Sequence, residues 1–92
     1  MRIMVLAFAG FREILGKELE MRLLESATVK DLLEELAAAR PAFKEAAFDE
    51  SGALRDYVLL MVNRKRIDPT LDLSRPLQDG DELAIFPPLA GG

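Results

Sequence analysis

The chain has 92 residues, half of them hydrophobic, and neither cysteine nor histidine. One domain with its own core is expected, without a disulfide framework, a thiol nucleophile, an imidazole base or the usual zinc, copper or haem ligands. Twelve Lys and Arg against sixteen Asp and Glu leave a net charge of −4, which disfavours nucleic acid as a partner and suits a protein with a basic face.

Residues 2–8, Arg-Ile-Met-Val-Leu-Ala-Phe, read as a short apolar strand. Ile3, Val5 and Ala7 share one face; Met4, Leu6 and Phe8 share the other. With Arg2 before it, the apolar run to Phe11 imitates a signal peptide. It stops at once at Arg12 and Glu13, so a buried strand accounts for it better. No stretch approaches the about 20 apolar residues of a membrane span, and a cytoplasmic location with no membrane partner is expected. Gly10 and Gly16 bracket a connection whose Phe11, Ile14 and Leu15 can fold back on the core. Residues 17–24 alternate, with Leu19, Met21 and Leu23 on one side, as in a half-buried strand.

Thr28 is placed to cap a helix, and Asp31 to complete an approximate capping box. Val29, Leu32, Leu33 and Leu36 recur at helical spacing, and Pro41 ends the helix near Arg40. Residues 42–48 suit a second short helical piece carrying Phe43 and Phe48. Asp49-Glu50-Ser51-Gly52 signals a turn. Tyr57 to Val62 is the most strand-like segment. Asn63-Arg64-Lys65-Arg66 reads as a tight turn, with Ile67 opening a short strand and Asp68-Pro69 turning again. Leu73, Pro76 and Leu77 anchor a loop, Gln78-Asp79-Gly80-Asp81 turns the chain, and Leu83 to Phe86 form the last strand before Pro87-Pro88 stops it.

Two strands, a helix, then two or three strands make an α+β domain in the order of the β-grasp, or ubiquitin-like, fold: a small mixed sheet packed on one main helix. The domain is expected to span residues 1–86, with 87–92 as a flexible C-terminal tail.

That tail reads Pro87-Pro88-Leu89-Ala90-Gly91-Gly92. Two prolines hold it extended and off the sheet, and the six residues after Phe86 reach roughly 20 Å at ~3.3 Å each. Gly91-Gly92, lacking Cβ atoms, can enter a slot too narrow for any side chain. It would deliver the Gly92 carboxylate to the active site of another enzyme. Activation as an acyl-adenylate from ATP, then attack by a sulfur donor, would give a thiocarboxylate. A frayed end or a cloning scar is the competing reading of Gly-Gly alone.

Several segments resemble the small subunit of molybdopterin synthase, a sulfur carrier of the ubiquitin-like superfamily. They are the first strand followed by Phe11-Arg12-Glu13-Ile14-Leu15-Gly16, Val62-Asn63 leading to Ile67-Asp68, Pro76-Leu77-Gln78-Asp79-Gly80-Asp81-Glu82-Leu83, and Phe86-Pro87-Pro88-Leu89-Ala90-Gly91-Gly92. The insert Phe43 to Tyr57 looks like the longer form common among archaeal and thermophile members. The resemblance implies that Gly92 is the acyl-adenylate and thiocarboxylate attachment point. The tail, Phe86 to Gly91, would insert into the large synthase subunit, where sulfur passes to a cyclic pyranopterin precursor of the molybdenum or tungsten cofactor. An adenylating, ubiquitin-activating-like enzyme, a sulfur donor and a heterotetrameric synthase follow from the same likeness. No permanently bound cofactor or metal does. The alternative in the same branch is a ubiquitin-like modifier joined to target lysines through Gly92.

In this fold Ile3, Val5, Val58, Leu60, Val62, Leu83 and Ile85 should point to the helix. Met4, Leu6, Phe8, Leu59, Met61, Ala84 and Phe86 should then form an apolar face suited to docking, with Phe8, Leu59 and Met61 as its anchors. Cover by the Phe43–Asp56 insert is the competing reading. Arg64, Lys65 and Arg66 read either as a solvated turn or as a contact for an acidic partner patch. Asp79, Asp81 and Glu82 read as turn residues rather than metal ligands.

Overall fold

The first strand, β1 (Arg2–Ala7), buries Ile3, Val5 and Ala7 and leaves Met4 and Leu6 half-buried on the opposite side. The computed structural model describes residues 1–87. After β1 the chain reverses at Ala9, whose φ of 50° and ψ of −126° lie in a glycine-like region. The connection between Gly10 and Gly16 is not a plain loop. It is a helical turn, α1 (Gly10–Leu15), because Phe11 and Leu15 lie four apart and both enter the core.

The second strand is β2 (Glu18–Arg22), antiparallel to β1, and shorter than the alternating stretch in which it was expected. The main helix, α2 (Val29–Ala39), starts with the full capping box. The Asp31 N–H donates to Thr28 Oγ1 at 3.1 Å, and the Thr28 N–H donates to Asp31 Oδ2 at 2.9 Å. Its Val29, Leu32, Leu33 and Leu36 lie in one cluster with Ile3, Val5, Leu60, Leu83 and Ile85. Pro41 ends α2 and opens α3 (Pro41–Ala47), where the missing N–H costs nothing. Phe43 of α3 is fully buried, with ring centroids 5.7 Å from Phe11 and 6.2 Å from Phe48.

The third strand, β3 (Leu59–Val62), begins two residues later than expected, since Tyr57 is exposed in a turn. The hairpin turn is Asn63-Arg64 alone, both with positive φ (50° and 69°), as a two-residue turn of the primed type requires. Lys65 and Arg66 are therefore not turn residues but the short strand β4 (Lys65–Arg66). Ile67 follows it, buried, with its N–H on the Leu60 carbonyl. Of the expected loop anchors, Leu77 is buried and Leu73 half-buried, while Pro76 is exposed and only its backbone bridges to Thr28. The last strand is β5 (Glu82–Phe86).

The sheet order is β2-β1-β5-β3-β4, with β5 parallel to β1 and antiparallel to β3. A mixed five-stranded sheet with one main helix across it is the β-grasp architecture. Among the described residues no helix is long and apolar enough to cross a membrane.

Candidate docking face and tail root

Strand alternation sorts the sheet into two faces, and the register fixes what sits beside what. On the helix side Ile3, Val5, Val58, Leu60, Val62, Leu83 and Ile85 are all buried. On the open side Leu6 of β1 and Met61 of β3 flank Ala84 of β5, and Leu59 stands beside Phe86. Phe8, Leu59, Met61 and Phe86 are half-buried and belong to this one face. Ala84 differs from its neighbours: it is 7% exposed, a small residue sunk between two larger ones.

The insert does not cover this face. Phe43, Phe48 and Leu54 join or pack against the core cluster on the helix side, and α3 lies against α1 and α2. The longer sequence enlarges the core and leaves the open face uncovered.

At the end of the face where the chain leaves the sheet, the Phe8 and Phe86 rings stack with centroids 4.3 Å apart and planes 8° apart. The Phe8 N–H donates to the Ile85 carbonyl at 3.2 Å, which holds the ring beside β5 although Phe8 lies beyond the end of β1. Arg12 from α1 places its guanidinium 5.4 Å from the Phe8 ring centroid, and its Nε donates to the Ala7 carbonyl at 3.1 Å. Cation, ring and ring thus form three layers beside Pro87, each contributing beyond simple burial. Sequence reasoning placed Phe8 and Phe86 on the same face but missed the stack and Arg12. Nothing in the local pattern says that an arginine in a short helix folds back over a ring four residues earlier.

Charged residues border the apolar strip. By register, Glu18 and Glu20 of β2 stand beside Leu6 and Met4, and Arg66 of β4 beside Met61. Arg2 and Glu20 approach to 3.8 Å, and Arg64 and Glu82 to 4.0 Å; both pairs are largely solvated and contribute little to stability. The alternation over residues 17–24 carried the acidic border, since Leu19 and Met21 inward put Glu18 and Glu20 outward.

The acidic residues before β5 are occupied by the backbone. Asp79 Oδ1 accepts the Arg2 N–H at 2.7 Å, and Asp81 Oδ2 accepts the Gln78 N–H at 2.8 Å. Asp81 Oδ1 accepts from Asn63 Nδ2 at 2.8 Å, while Asn63 Oδ1 accepts the Glu82 N–H at 2.9 Å. Gly80, at φ 88°, supplies the left-handed residue of this turn. Among the described residues no three Asp or Glu side chains converge on a point where a metal could sit.

Two carboxyls, in the turns that follow α3 and β4, are held below the usual carboxylate range. Asp49 is lowered chiefly by the hydroxyl of Ser51, then by the Ala53 N–H; Asp68 is lowered chiefly by the hydroxyl of Thr70, then by its N–H. Both organise turns by accepting from residues just ahead.

Of the expected site residues, Phe8, Leu59, Met61, Phe86 and Pro87 belong to the described part of the chain. Pro88, Leu89, Ala90, Gly91 and Gly92 lie outside the described residues.

Strand order, the central parallel pair and the helix across one face define a ubiquitin-like β-grasp domain. Residues 5–92 match the ThiS family, and the chain belongs to that family. It is 34% identical over 86 residues to small archaeal modifier protein 3 of Haloferax volcanii, covering 92% of each chain. It is 36% identical over 93 residues to the molybdopterin synthase sulfur carrier subunit of Chlamydomonas reinhardtii, covering 100% of each. It superposes on the crystal structure of SAMP1 from Haloferax volcanii with a TM-score of 0.88 at 31% identity, covering 100% of both chains.

Proposed function

We propose that this chain is the sulfur carrier subunit of a molybdopterin synthase, loaded and discharged at Gly92. The observation that supports this reading most is a likeness running through Gly92: the family match extends to residue 92, and a sulfur carrier subunit aligns over 100% of both chains. The open face adjoins the root of the tail and gives a partner somewhere to grip while the terminus is handled.

The chemistry is borrowed, because the chain supplies neither thiol nor imidazole. An adenylating enzyme of the ubiquitin-activating type binds the open face. A Gly92 carboxylate oxygen attacks the α-phosphorus of ATP and pyrophosphate leaves. A donor of sulfide-level sulfur then displaces AMP from the acyl-adenylate, forming the acyl C–S bond of a thiocarboxylate as the acyl–phosphate C–O bond breaks. Phe86 and Pro87 start the tail, and Pro88, Leu89, Ala90 and Gly91 lead it into the large synthase subunit. There the thiocarboxylate sulfur bonds to a cyclic pyranopterin precursor, and water cleaves the acyl–sulfur bond, leaving the sulfur on the precursor and regenerating the Gly92 carboxylate for another cycle. Phe8, Leu59 and Met61 anchor both partners in turn, so loading and delivery exclude each other.

The second reading is a ubiquitin-like modifier, in which a lysine amine displaces AMP and an isopeptide bond forms. It is favoured by the 34% identity to small archaeal modifier protein 3. Both readings share activation and differ in acceptor. Intact mass after incubation with ATP, the cognate activating enzyme and a sulfur source should rise by about 16 Da as sulfur replaces oxygen. An unchanged mass with an enzyme active on another carrier refutes the carrier reading. Gly-Gly remnants on lysines in cell digests, without a pterin defect on deletion, favour the modifier.

A further inference from the structure

The insert that lengthens this chain is not used by the docking face, yet it builds a surface of its own. Residues 48–56 stand away from α2, with the Pro69–Leu73 loop on another side, and between them runs a groove of about 1020 Å³. Ala37 and the half-buried Phe48, Leu54 and Leu73 supply its apolar surface. None of its lining residues belongs to the sheet, so it is separate from the open face.

The charges around it are unbalanced. Lys30 and Glu34 satisfy each other at 4.0 Å. Lys44 and Arg55 also line the groove, and among the described residues neither has a carboxylate within ion-pair distance. Arg55 is constrained as well as unpaired. Its Nη2 donates to the Glu45 carbonyl at 3.3 Å, while its Nε is buried with no acceptor among the described residues. Asp49 feels the Arg55 charge from a distance, but among the described residues no carboxylate pairs with the guanidinium, so an incoming carboxylate at its free edge recovers part of the water it has lost. With Lys30 and Glu34 paired, Asp56 is the remaining acidic group of the lining against Lys44 and Arg55.

The geometry points to a second docking site in this groove, for a peptide segment of a partner protein in which Asp or Glu alternates with large apolar side chains. The volume is at the top of the ~300–1,000 Å³ range of small-molecule sites. The walls offer apolar surface and two separated cations rather than a converging set of polar groups. That arrangement suits several side chains of an extended segment better than one compact ligand. Carboxylates meet Lys44 and the free edge of Arg55, and apolar side chains fill the space over Phe48, Leu54 and Leu73. Because the site shares no residue with the open face, a helper protein can hold the carrier here while another enzyme works on the terminus. The proposal does not rest on the sulfur-carrier reading and stands or falls separately from it.

The test is a titration of the ¹⁵N-labelled full chain with two synthetic 12-residue peptides. One alternates Glu with Leu and Phe, and the other carries Lys in place of Glu. The expected result is saturable shifts at Ala37, Ala53, Leu54 and Thr70 with the acidic peptide and none at Met4, Leu6 or Met61. Lys44→Glu, at an exposed position, should weaken that binding about fivefold by replacing an attraction with a repulsion. Equal binding of the basic peptide, shifts on the open face, or an unchanged affinity in the Lys44→Glu variant would overturn the proposal. So would the same shifts produced by sodium phosphate alone, which would mark a small-anion site. Shifts that grow with protein concentration without peptide would identify a second copy as the occupant, and would overturn it too.

Discussion

Replacing Phe8 and Phe86 by alanine, singly and together, tests whether the stack at the tail root is a coupled unit. Both rings are half-buried, so each truncation forfeits about half of the 1.5–3 kcal/mol of full burial, or about 1 kcal/mol. The stacked geometry, 4.3 Å between centroids, adds roughly 1 kcal/mol that either single change removes in full. Each single variant should therefore lose about 2 kcal/mol, and the double variant about 3 rather than 4, a coupling of about 1 kcal/mol. Urea denaturation of the four proteins with a common m-value measures this directly, since about 2 kcal/mol shifts the midpoint by about 1 M at ~2 kcal/mol/M. Strict additivity within about 0.3 kcal/mol would mean that the rings merely lie side by side, and would refute the stack as a unit. On the proposed function the same variants should also weaken docking of a large synthase subunit by roughly fivefold each, because that reading buries the other half of each ring in the interface. Unaltered docking would remove Phe8 and Phe86 from the interface.

Ala9→Gly should raise stability by about 0.5–1 kcal/mol, because relief of strain at φ 50° and ψ −126° exceeds the added chain entropy of the unfolded state. An unchanged or lower melting temperature would contradict the assignment of strain there. Asp49 should titrate below the usual aspartate range in a carbon-detected pH series, chiefly through the Ser51 hydroxyl. Because its folded pKa is depressed, its stabilising contribution is present above the unfolded value and is lost as pH falls through the folded value; Ser51→Ala should move the midpoint back up, and a midpoint that stays put would assign the shift elsewhere. Deleting Gly92 should abolish the thiocarboxylate mass shift and leave the melting temperature within about 1 °C, since a single terminal glycine contributes little to folding; unfolding of that variant would argue against residues 87–92 as a tail separate from the domain.

Features written in short-range chemistry were legible in advance. Thr28 with Asp31, Pro41 after Arg40, and the two-residue alternation of β1 and β5 each decide a local structure almost alone, and together they set the β-grasp order. The membership of the open apolar face was legible for the same reason, because alternation assigns every strand residue to a side. What escaped depends on contacts distant in sequence. The segment from Gly10 to Gly16 is too short to show helical periodicity and becomes helical because Phe11 and Leu15 find the core. The boundary between turn and strand at Lys65 depends on pairing with Met61 and Val62. The groove of the insert is made by three segments that meet only in the folded chain, so no window of sequence announces it. That Arg55 has no ion pair among the described residues shows only in the folded arrangement.

The position of β5 has a mechanical consequence. It is hydrogen-bonded on both sides, with four registered pairs to β1 and four to β3. Tension on the chain beyond Phe86 is applied along the axis of a strand paired on both sides. Because β1 and β5 run parallel, tension between the N-terminus and residue 87 loads their bonds in shear, all together rather than one after another. The fold therefore fixes residue 87 to an interior strand, and a pull on the chain at that point must break two ladders at once before the domain unravels.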